Sequence, residues 1–201
     1  MERNDIRVRL ATPDDAEAIL AVYTPYIAYT SITFETTIPT LEAFRERVRS
    51  IAETYPYLVV EEDGRVVGYA YASRLGERAA YAWNAELSIY FEAGHTGRGW
   101  GKALTMAVVN LLALQGVRNV FSIITVPNTA SFDMHEKLGF APIGTQAHAG
   151  YKLERWHDVD WLQKSIGDFD EAPRPIVALS DCDPAAVQAV IDETERALRG
   201  E

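Results

Sequence analysis

Apolar residues recur along the chain at two spacings, every second residue in some segments and every third or fourth in others. Alternation over residues 6–10 predicts a first β-strand. Helical spacing begins at Thr12-Pro13, where a capping hydroxyl precedes a proline, and begins again after Pro39. The first quarter of the chain is therefore predicted to form one strand followed by two helices.

Strands and helices alternate through the rest of the chain. Asp63-Gly64 between two apolar runs predicts a β-hairpin. The later predictions are a strand, a helix, a strand, a short helix and two strands, over residues 85–91, 100–116, 117–125, 128–137, 142–146 and 156–163. This order predicts an α/β (α+β) fold with a mixed sheet that has helices on its faces.

The pattern of apolar and polar residues changes after Gly167. A linker is predicted over 167–183, and Asp183-Pro184 then begins an amphipathic helix. We expect one domain over 1–166 and a C-terminal helical extension over 184–201. That helix is too short to be a domain, so it is expected to dock on the core of its own chain or on a partner subunit.

Composition and charge argue against several classes of protein. Asp plus Glu outnumber Lys plus Arg by 29 to 19, which argues against nucleic-acid binding. The one cysteine, Cys182, allows no intrachain disulfide, and Met1 to Arg9 lacks the apolar core of a signal peptide. No apolar run approaches the roughly 20 residues that span a bilayer. These features predict a cytoplasmic protein without membrane contact.

The stretch "HTGRGWGKAL" (95–104) carries the first candidate chemistry. Gly97, Gly99 and Gly101 stand in front of a predicted helix, whose first amide hydrogens are unpaired and partly positive. Arg98 and Lys102 add formal charge, so the turn suits a phosphate or diphosphate. The spacing fits neither a P-loop nor a Rossmann fingerprint. A tight turn that binds no ligand is the alternative.

A third pattern fits this stretch better. Thr96 to Gly101 resembles the acetyl-CoA signature of the GNAT acetyltransferase superfamily, (Arg/Gln)-x-x-Gly-x-(Gly/Ala), with Thr96 departing from the first position. "NTASFDMHEKLGF" (128–140) resembles a later segment of that superfamily, with His135 in place of a tyrosine. The resemblance implies a GNAT-type, mostly antiparallel twisted sheet with helices on both faces, and acetyl-CoA as co-substrate.

One branch, the phosphinothricin N-acetyltransferases, is more similar still. Tyr81-x-Trp83-x-x-Glu86-x-x-Ile89-Tyr90 resembles a strand of that branch, Phe34-Glu35 its substrate loop, and "AGYKLERWHDVDWLQ" (149–163) its C-terminal segment. The resemblance covers roughly residues 5–175 and omits the final helix. It implies a homodimer that acts on a small amine.

The resemblance also implies catalytic roles for two residues. Glu86 is expected to be the general base for the amine, directly or through a water, and apolar surroundings would raise its pKa. A solvated strand glutamate is the alternative. His135 is expected to protonate or stabilise the leaving thiolate. A histidine on the helix surface is the alternative there.

Cofactor contacts are expected from both main chain and side chains. The main chain of Ile89, Tyr90 and Phe91 is expected to pair with the pantetheine amides as an added strand would, although the Tyr90 side chain could equally belong to the core. Amides of the turn are expected to hold the diphosphate, namely those of Gly97, Arg98, Gly99, Trp100, Gly101 and Lys102. Asn128 is expected to contact the pantetheine arm, to cap the short helix, or both.

The expected substrate residues are Phe34, Arg78, Tyr81 and Val159. Arg78 can fork onto a carboxylate or phosphinate, or it can be an exposed loop charge. Relatives often carry a lysine where Gly76 stands here, and Arg74 is a candidate substitute. Phe34 and Val159 would line the apolar side of the pocket.

The sequence therefore predicts an acetyl-CoA-dependent N-acetyltransferase that works by direct attack in a ternary complex. The expected acceptors are phosphinothricin, methionine sulfoximine or methionine sulfone, and acetylation would confer resistance. The alternatives are another amine, such as a polyamine or a protein N-terminus, and a non-catalytic acyl-CoA sensor. No metal is expected, since His157 and Asp158 have no third ligand at a recognisable spacing.

Overall fold

A computed structural model describes residues 5–201, so the first four residues of the domain predicted over 1–166 lie outside the described part. Within that part the chain forms five α-helices and one sheet of seven strands, ordered β1-β2-β3-β4-β5-β7-β6. The elements are β1 Ile6–Leu10, α1 Ala16–Tyr29, α2 Leu41–Ala52, β2 Tyr57–Glu62, β3 Arg65–Arg74, β4 Asn84–Phe91, α3 Trp100–Gln115, β5 Asn119–Thr125, α4 Thr129–Lys137, β6 Ala141–Lys152, β7 Arg155–Ser165 and α5 Pro184–Arg199.

The sheet separates two hydrophobic cores. Successive side chains of a strand point to opposite faces, so Leu58 and Val60 join the core under α3 and α5, whereas Tyr57 and Val59 join the core under α1 and α2. Neighbouring strands run antiparallel except β4 and β5, which run parallel. The predicted mixed, mostly antiparallel sheet with helices on both faces is confirmed.

The main difference from the predicted elements lies in β6. The strand was expected over 142–146, but it extends from Ala141 to Lys152. It is an edge strand whose only sheet partner is β7, and its residues up to His148 are exposed. An exposed edge strand does not need the alternation of apolar and polar residues by which strands are recognised in a sequence.

The C-terminal helix α5 docks on its own chain, packing against α3 and β1. The buried side chain of Ile191 belongs to the core under α3. The guanidinium of Arg199 donates to the carbonyl of Ile6 at 2.7 Å, and the amide of Val8 donates to the Glu195 carboxylate at 3.1 Å. Of the two alternatives for this helix, the structure shows docking on the core.

The parallel strands β4 and β5 diverge partway along their length. They pair through three residue pairs, Asn84 with Asn119, Ala85 with Val120 and Glu86 with Phe121. Beyond Glu86, β4 continues to Phe91 without a partner on that side, and β5 likewise continues to Thr125. The sheet therefore has a wedge-shaped opening in its interior, and Glu86 stands at its apex.

Candidate active site

Two cavities meet at the opening between β4 and β5. The larger of the two, about 430 Å³, runs from the part of β4 that does not pair with β5 to the glycine turn and α4. The second, about 310 Å³, lies over Glu86 and is walled by the loop between α1 and α2 and by β6 and β7. Ile32 and Tyr90 line both. We call them the cofactor cavity and the acceptor cavity, because they are lined by residues expected from the sequence to contact the cofactor and the acceptor, respectively.

The glycine turn has the backbone form that anion binding requires. Gly97 and Gly99 have φ angles of +79° and +85°, in the left-handed region that favours glycine. Nothing lies within 4 Å of where a Cβ would stand at either residue. Gly99 immediately precedes α3, so the free amides at the helix start face open space in the cofactor cavity.

The side chains of this turn have separate tasks. Lys102 lines the cofactor cavity together with Gly97, Gly99 and Gly101. The Arg98 guanidinium instead pairs with Glu62 at 3.0 Å and lies over the Trp100 ring, 5.2 Å from its centroid. The Trp100 ring is buried and is not part of the cavity lining. Arg98 and Trp100 thus do not line the cofactor cavity, whereas Lys102 brings its charge to it while its amide donates to the Gly99 carbonyl at 3.1 Å.

The end of β4 that does not pair with β5 lines the cofactor cavity through Ile89, Tyr90 and Phe91. The Tyr90 ring also packs in an aromatic cluster with Tyr23, at 4.8 Å between centroids, so it belongs to the core as well as to the cavity wall. The Phe91 carbonyl already accepts a hydrogen bond from the Tyr26 hydroxyl. The unpaired main chain of β4 therefore offers a strand edge to an extended ligand.

Asn128 stands where α4 begins. Its Oδ1 accepts from the Ser131 amide at 3.4 Å and caps the helix. It also lines the cofactor cavity and the narrow cleft between β4 and β5.

Glu86 is half-buried and lines the acceptor cavity with Ser88 and Tyr90, which follow it on the same face of β4. Burial raises its pKa above the ordinary value, because the charged form loses water without gaining a cation. The structure therefore does not show the solvated strand glutamate that was the alternative. A carboxylate whose pKa is raised in a cavity has the properties of a general base.

His135 is buried, with 1% of its surface exposed, so the alternative of a helix-surface histidine is wrong. Its Nδ1 lies 2.8 Å from the Ser131 carbonyl, which can only accept, so Nδ1 carries the proton. Nε2 has no hydrogen-bond partner among the described residues, and the side chain lines the cleft between β4 and β5. Burial lowers the pKa of His135. The Nε2 of His135 is thus a buried acceptor beside the cleft, without a partner among the described residues.

The predicted substrate residues divide into two groups. Phe34 and Val159 line the acceptor cavity with Glu86. Arg78 and Tyr81 lie on an exposed turn before β4 and are not part of that lining. The structure of the single chain thus brings Phe34 and Val159 together with Glu86, but it does not bring Arg78 into the acceptor cavity.

Further residues of the acceptor cavity were not singled out from the sequence. They come from the loop before α2, from β4 and β5, and from the β6–β7 hairpin: Ile32, Thr33, Ser88, Ile123, Thr125, Gln146, Ala149 and Trp161. The hairpin members in or next to "AGYKLERWHDVDWLQ" had a usable signal, because that segment carries the most specific resemblance. Ser88, Ile123 and Thr125 lie in strands with a sequence typical of a core, and Ile32 and Thr33 lie in a loop without a recognisable motif.

Two classes of feature are missing from the described residues. Across 5–201, no three His, Cys, Asp or Glu side chains are grouped so that they could hold a metal ion. None of the helices in the same range combines the length and apolarity needed to cross a bilayer.

Comparison with known proteins places this geometry in context. Residues 8–161 match the family model described as acetyltransferase (GNAT) domain. The chain is 33% identical to the phosphinothricin N-acetyltransferase of Streptomyces viridochromogenes, over 87% of this chain and 95% of that protein. It is 29% identical to the L-methionine sulfoximine/L-methionine sulfone acetyltransferase of Pseudomonas aeruginosa, over 83% and 98%.

A solved structure shares the fold over most of the chain. The phosphinothricin acetyltransferase of Sinorhizobium meliloti, solved in complex with AcCoA, superposes with a TM-score of 0.81 at 31% identity. The superposition covers 88% of this chain and 97% of that one.

Proposed function

The chain belongs to the GNAT acetyltransferase family, and we propose that it transfers an acetyl group from acetyl-CoA to the amine of a small amino-acid-like acceptor. The observation that carries this proposal is the position of Glu86. It is a half-buried carboxylate at the apex of the β4–β5 opening, where the acceptor cavity adjoins the part of β4 that does not pair with β5.

The residues present fit acetyl-CoA. The positive φ angles of Gly97 and Gly99 leave open space before α3 for a diphosphate, and Lys102 adds positive charge there. The unpaired edge of β4 at Ile89 and Tyr90 suits the amides of the pantetheine arm. When bound, acetyl-CoA supplies the thioester whose acetyl carbon the amine attacks, so that a C–N bond forms as the C–S bond breaks.

The chain's own groups move protons and position the acceptor. An amine attacks only as the free base, and Glu86 accepts the proton of the acceptor ammonium, directly or through a water. The raised pKa of Glu86 brings that carboxylate nearer to the amine in proton affinity. The single cysteine, Cys182, lies beyond β7 and lines neither cavity, which supports direct transfer over an acyl-enzyme.

His135 acts on the leaving sulfur in this proposal. The amine nitrogen gives up a second proton as the amide forms, and this proton goes to the leaving sulfur. The Nδ1 of His135 is committed to the Ser131 carbonyl, so Nε2 of the neutral ring accepts a hydrogen bond from the resulting thiol. To protonate a thiolate it would first have to become an imidazolium, which burial disfavours. We therefore assign His135 to binding the thiol and not to supplying its proton.

For the acceptor we infer phosphinothricin, methionine sulfoximine or methionine sulfone. Proteins named for acetylating these compounds are 26–33% identical to this chain. The product would be an N-acetylated amino acid, and removal of a toxic amine would make the protein a resistance enzyme. The use of acetyl-CoA supports a cytoplasmic location.

We infer a homodimer as well. The β6–β7 hairpin exposes large apolar side chains, with Tyr151 and Trp156 each more than half exposed. An edge strand with such a surface is suited to covering by a second copy.

A second candidate acceptor is a basic amine, such as a polyamine or a protein N-terminus. The lining of the acceptor cavity contains the carboxylate of Glu86 and, among the residues from 5 onward, no Lys or Arg. A screen for thiol release from acetyl-CoA separates the candidates, with amino acids and their phosphinate, sulfoximine and sulfone analogues in one arm and polyamines in the other. Activity on anionic analogues that is lost in Arg78→Ala would support the first. Activity confined to polyamines would exclude it.

Replacement of Glu86 tests whether the protein is an enzyme. Glu86→Gln should keep its affinity for coenzyme A and lose on the order of 10²–10⁴ in turnover, because the base is removed and the side-chain shape is kept. Glu77→Gln, on the exposed turn before β4, is the matched control and should keep full activity. A non-catalytic acyl-CoA sensor would respond to neither substitution.

A further inference from the structure

Lys152, at the end of β6, is a buried lysine without a carboxylate partner. It is 5% exposed, and within the described chain no Asp or Glu oxygen lies within 4.0 Å of its ammonium group. Its Nζ donates to the Thr33 carbonyl at 2.8 Å and reaches the Tyr26 carbonyl at 3.4 Å. Burial lowers the pKa of Lys152, against an opposing effect of Glu35. A buried cation is costly, so the contacts it makes call for an explanation.

Both acceptors of Lys152 belong to the wall between the two cavities. Thr33 lies in the loop that joins α1 to α2 and lines the acceptor cavity, whereas Tyr26 lies in α1 and lines the cofactor cavity. Ile32, next to Thr33, lines both. The lysine therefore holds the stretch 30–35 where the acceptor amine would meet the acetyl group.

The same hairpin receives the Phe34 ring from this loop. A Cβ built on Gly150 would stand 2.5 Å from a ring carbon of Phe34, so only glycine leaves room for the ring in this position. The Phe34 ring also lies 6.3 Å from the ring of buried His157, centroid to centroid. His157 is fixed in turn, because its Nε2 bonds to the Lys152 carbonyl at 2.9 Å.

The opposite side of the loop is fixed to α1. The Thr33 hydroxyl lies 2.6 Å from the Tyr23 hydroxyl. The helix α1 packs on β3 and β4, whereas Lys152 belongs to the hairpin that pairs with β5. The loop is thus held from both sides of the β4–β5 opening and crosses it.

We propose that Gly150, Lys152 and His157 form an anchor that holds residues 30–35 across the acceptor cavity, which makes Lys152 a positioning residue for the acceptor amine. This inference rests on the proposed function. It also gives a physical role to "GYKLERWHDV", the run that carries the most specific resemblance and yet supplies no group to the chemistry.

Lys152→Met tests the anchor, because it keeps much of the side-chain length and removes the donor. The KM for the acceptor should rise and kcat/KM should fall by about 10- to 100-fold, as expected when a positioning wall is displaced. Affinity for coenzyme A should fall much less than affinity for the acceptor, because the glycine turn and β4 are untouched. Lys137→Met, an exposed lysine on α4, is the control and should behave as the unmodified protein.

Hydrogen exchange of the whole chain provides a second measurement. Amides of residues 30–35 should exchange faster in Lys152→Met than in Lys137→Met, with α3 and β4 unchanged. A uniform increase in exchange, or equal losses of acceptor and coenzyme A affinity, would show a merely structural role and overturn the proposal. Unchanged exchange in 30–35 would overturn it as well.

A double-mutant cycle tests the anchor without touching the buried charge. Gly150→Ala should raise the acceptor KM, because its Cβ displaces the Phe34 ring. In a Phe34→Ala background, the same substitution should have no further effect. Additive effects of the two substitutions would contradict the proposed contact.

These experiments separate the anchor from the reaction. If the unmodified protein acetylates no amine, the proposed function fails, and the exchange of residues 30–35 in Lys152→Met still decides the anchor. If the unmodified protein is active and the acceptor KM does not change in Lys152→Met, only the anchor is overturned.

Discussion

The Glu86 carboxyl group is held where its charged form is poorly solvated. Burial raises its pKa in the folded chain, whereas the unfolded chain would return it to the ordinary 4.5. Over the pH range between these two pKa values, the folded state holds more protons than the unfolded state. Stability contributed by this group therefore falls as pH rises through that range, and its charge costs stability at neutral pH.

Glu86→Gln is accordingly expected to stabilise the protein while it inactivates the enzyme. The Tm of the variant should exceed that of the unmodified protein at neutral pH, and the difference should vanish below pH 4.5, where both states carry a protonated Glu86. Thermal unfolding of both proteins at the two pH values measures this. An equal difference at both values would show that the charge of Glu86 does not cost stability.

Individual roles were only partly predictable from the sequence. Glu86 and His135 were singled out through the motifs around them. The raised pKa of Glu86 was expected from its neighbours, whereas the tautomer of His135 was not. The hydrogen bond from His135 to the Ser131 carbonyl fixes its tautomer, and this depends on how α4 packs. Arg98 was expected to face a phosphate, yet it pairs with Glu62, which is 36 residues away along the chain. Spacing along one segment cannot reveal such a partner.

Among the elements, the turn before α3 shows what glycine contributes. Gly99 has a φ angle of +85°, and an alanine there would be strained by about 1–2 kcal/mol even though the space is open. The strain relaxes most easily by rotation of the very amides that face the cofactor cavity.

Gly99→Ala should therefore weaken coenzyme A binding by about tenfold or more, with a loss of stability of about 1–2 kcal/mol. Gly94→Ala is a matched control three residues before Gly97, because Gly94 has no positive φ and nothing within 4 Å of its Cβ position. Calorimetric titration with coenzyme A measures both variants. Equal affinity in the two would show that the turn does not bind the diphosphate.

Existence and order of the elements followed from hydrophobic spacing, as with α2 and the Asp63-Gly64 hairpin. The length of β6 did not, because the exposed edge strand lacks alternation. Placement of β7 between β5 and β6 was not predictable from spacing either, since strand order is decided by packing of the whole sheet.

At the scale of the whole molecule, the tail beyond the family match is part of the core. The Trp100 indole, at the start of α3, donates to the Leu198 carbonyl at 3.1 Å, and Gln115 donates to the Val177 carbonyl at 2.8 Å. The segment 167–201 is thus bonded to both ends of α3. Its contribution to stability should be that of a core element and not of an appendage.

Ile191→Ala is expected to lower the free energy of unfolding by about 2–5 kcal/mol, because it leaves a cavity in the core under α3. Glu193→Ala, on the exposed side of the same helix, should change it little. Urea unfolding measures both. Equal stabilities would mean that α5 detaches from the core in solution.

The opening between β4 and β5 has a mechanical consequence. Strands β1 to β4 and strands β5 to β7 form two parts of the sheet, which are paired only at Asn84, Ala85 and Glu86 of β4 among the described residues. An extended ligand bound along the unpaired edge of β4 would join the two parts of the sheet reversibly. The sheet would then become more rigid when the ligand binds and more flexible when it leaves, and Glu86 lies at the junction of the two parts.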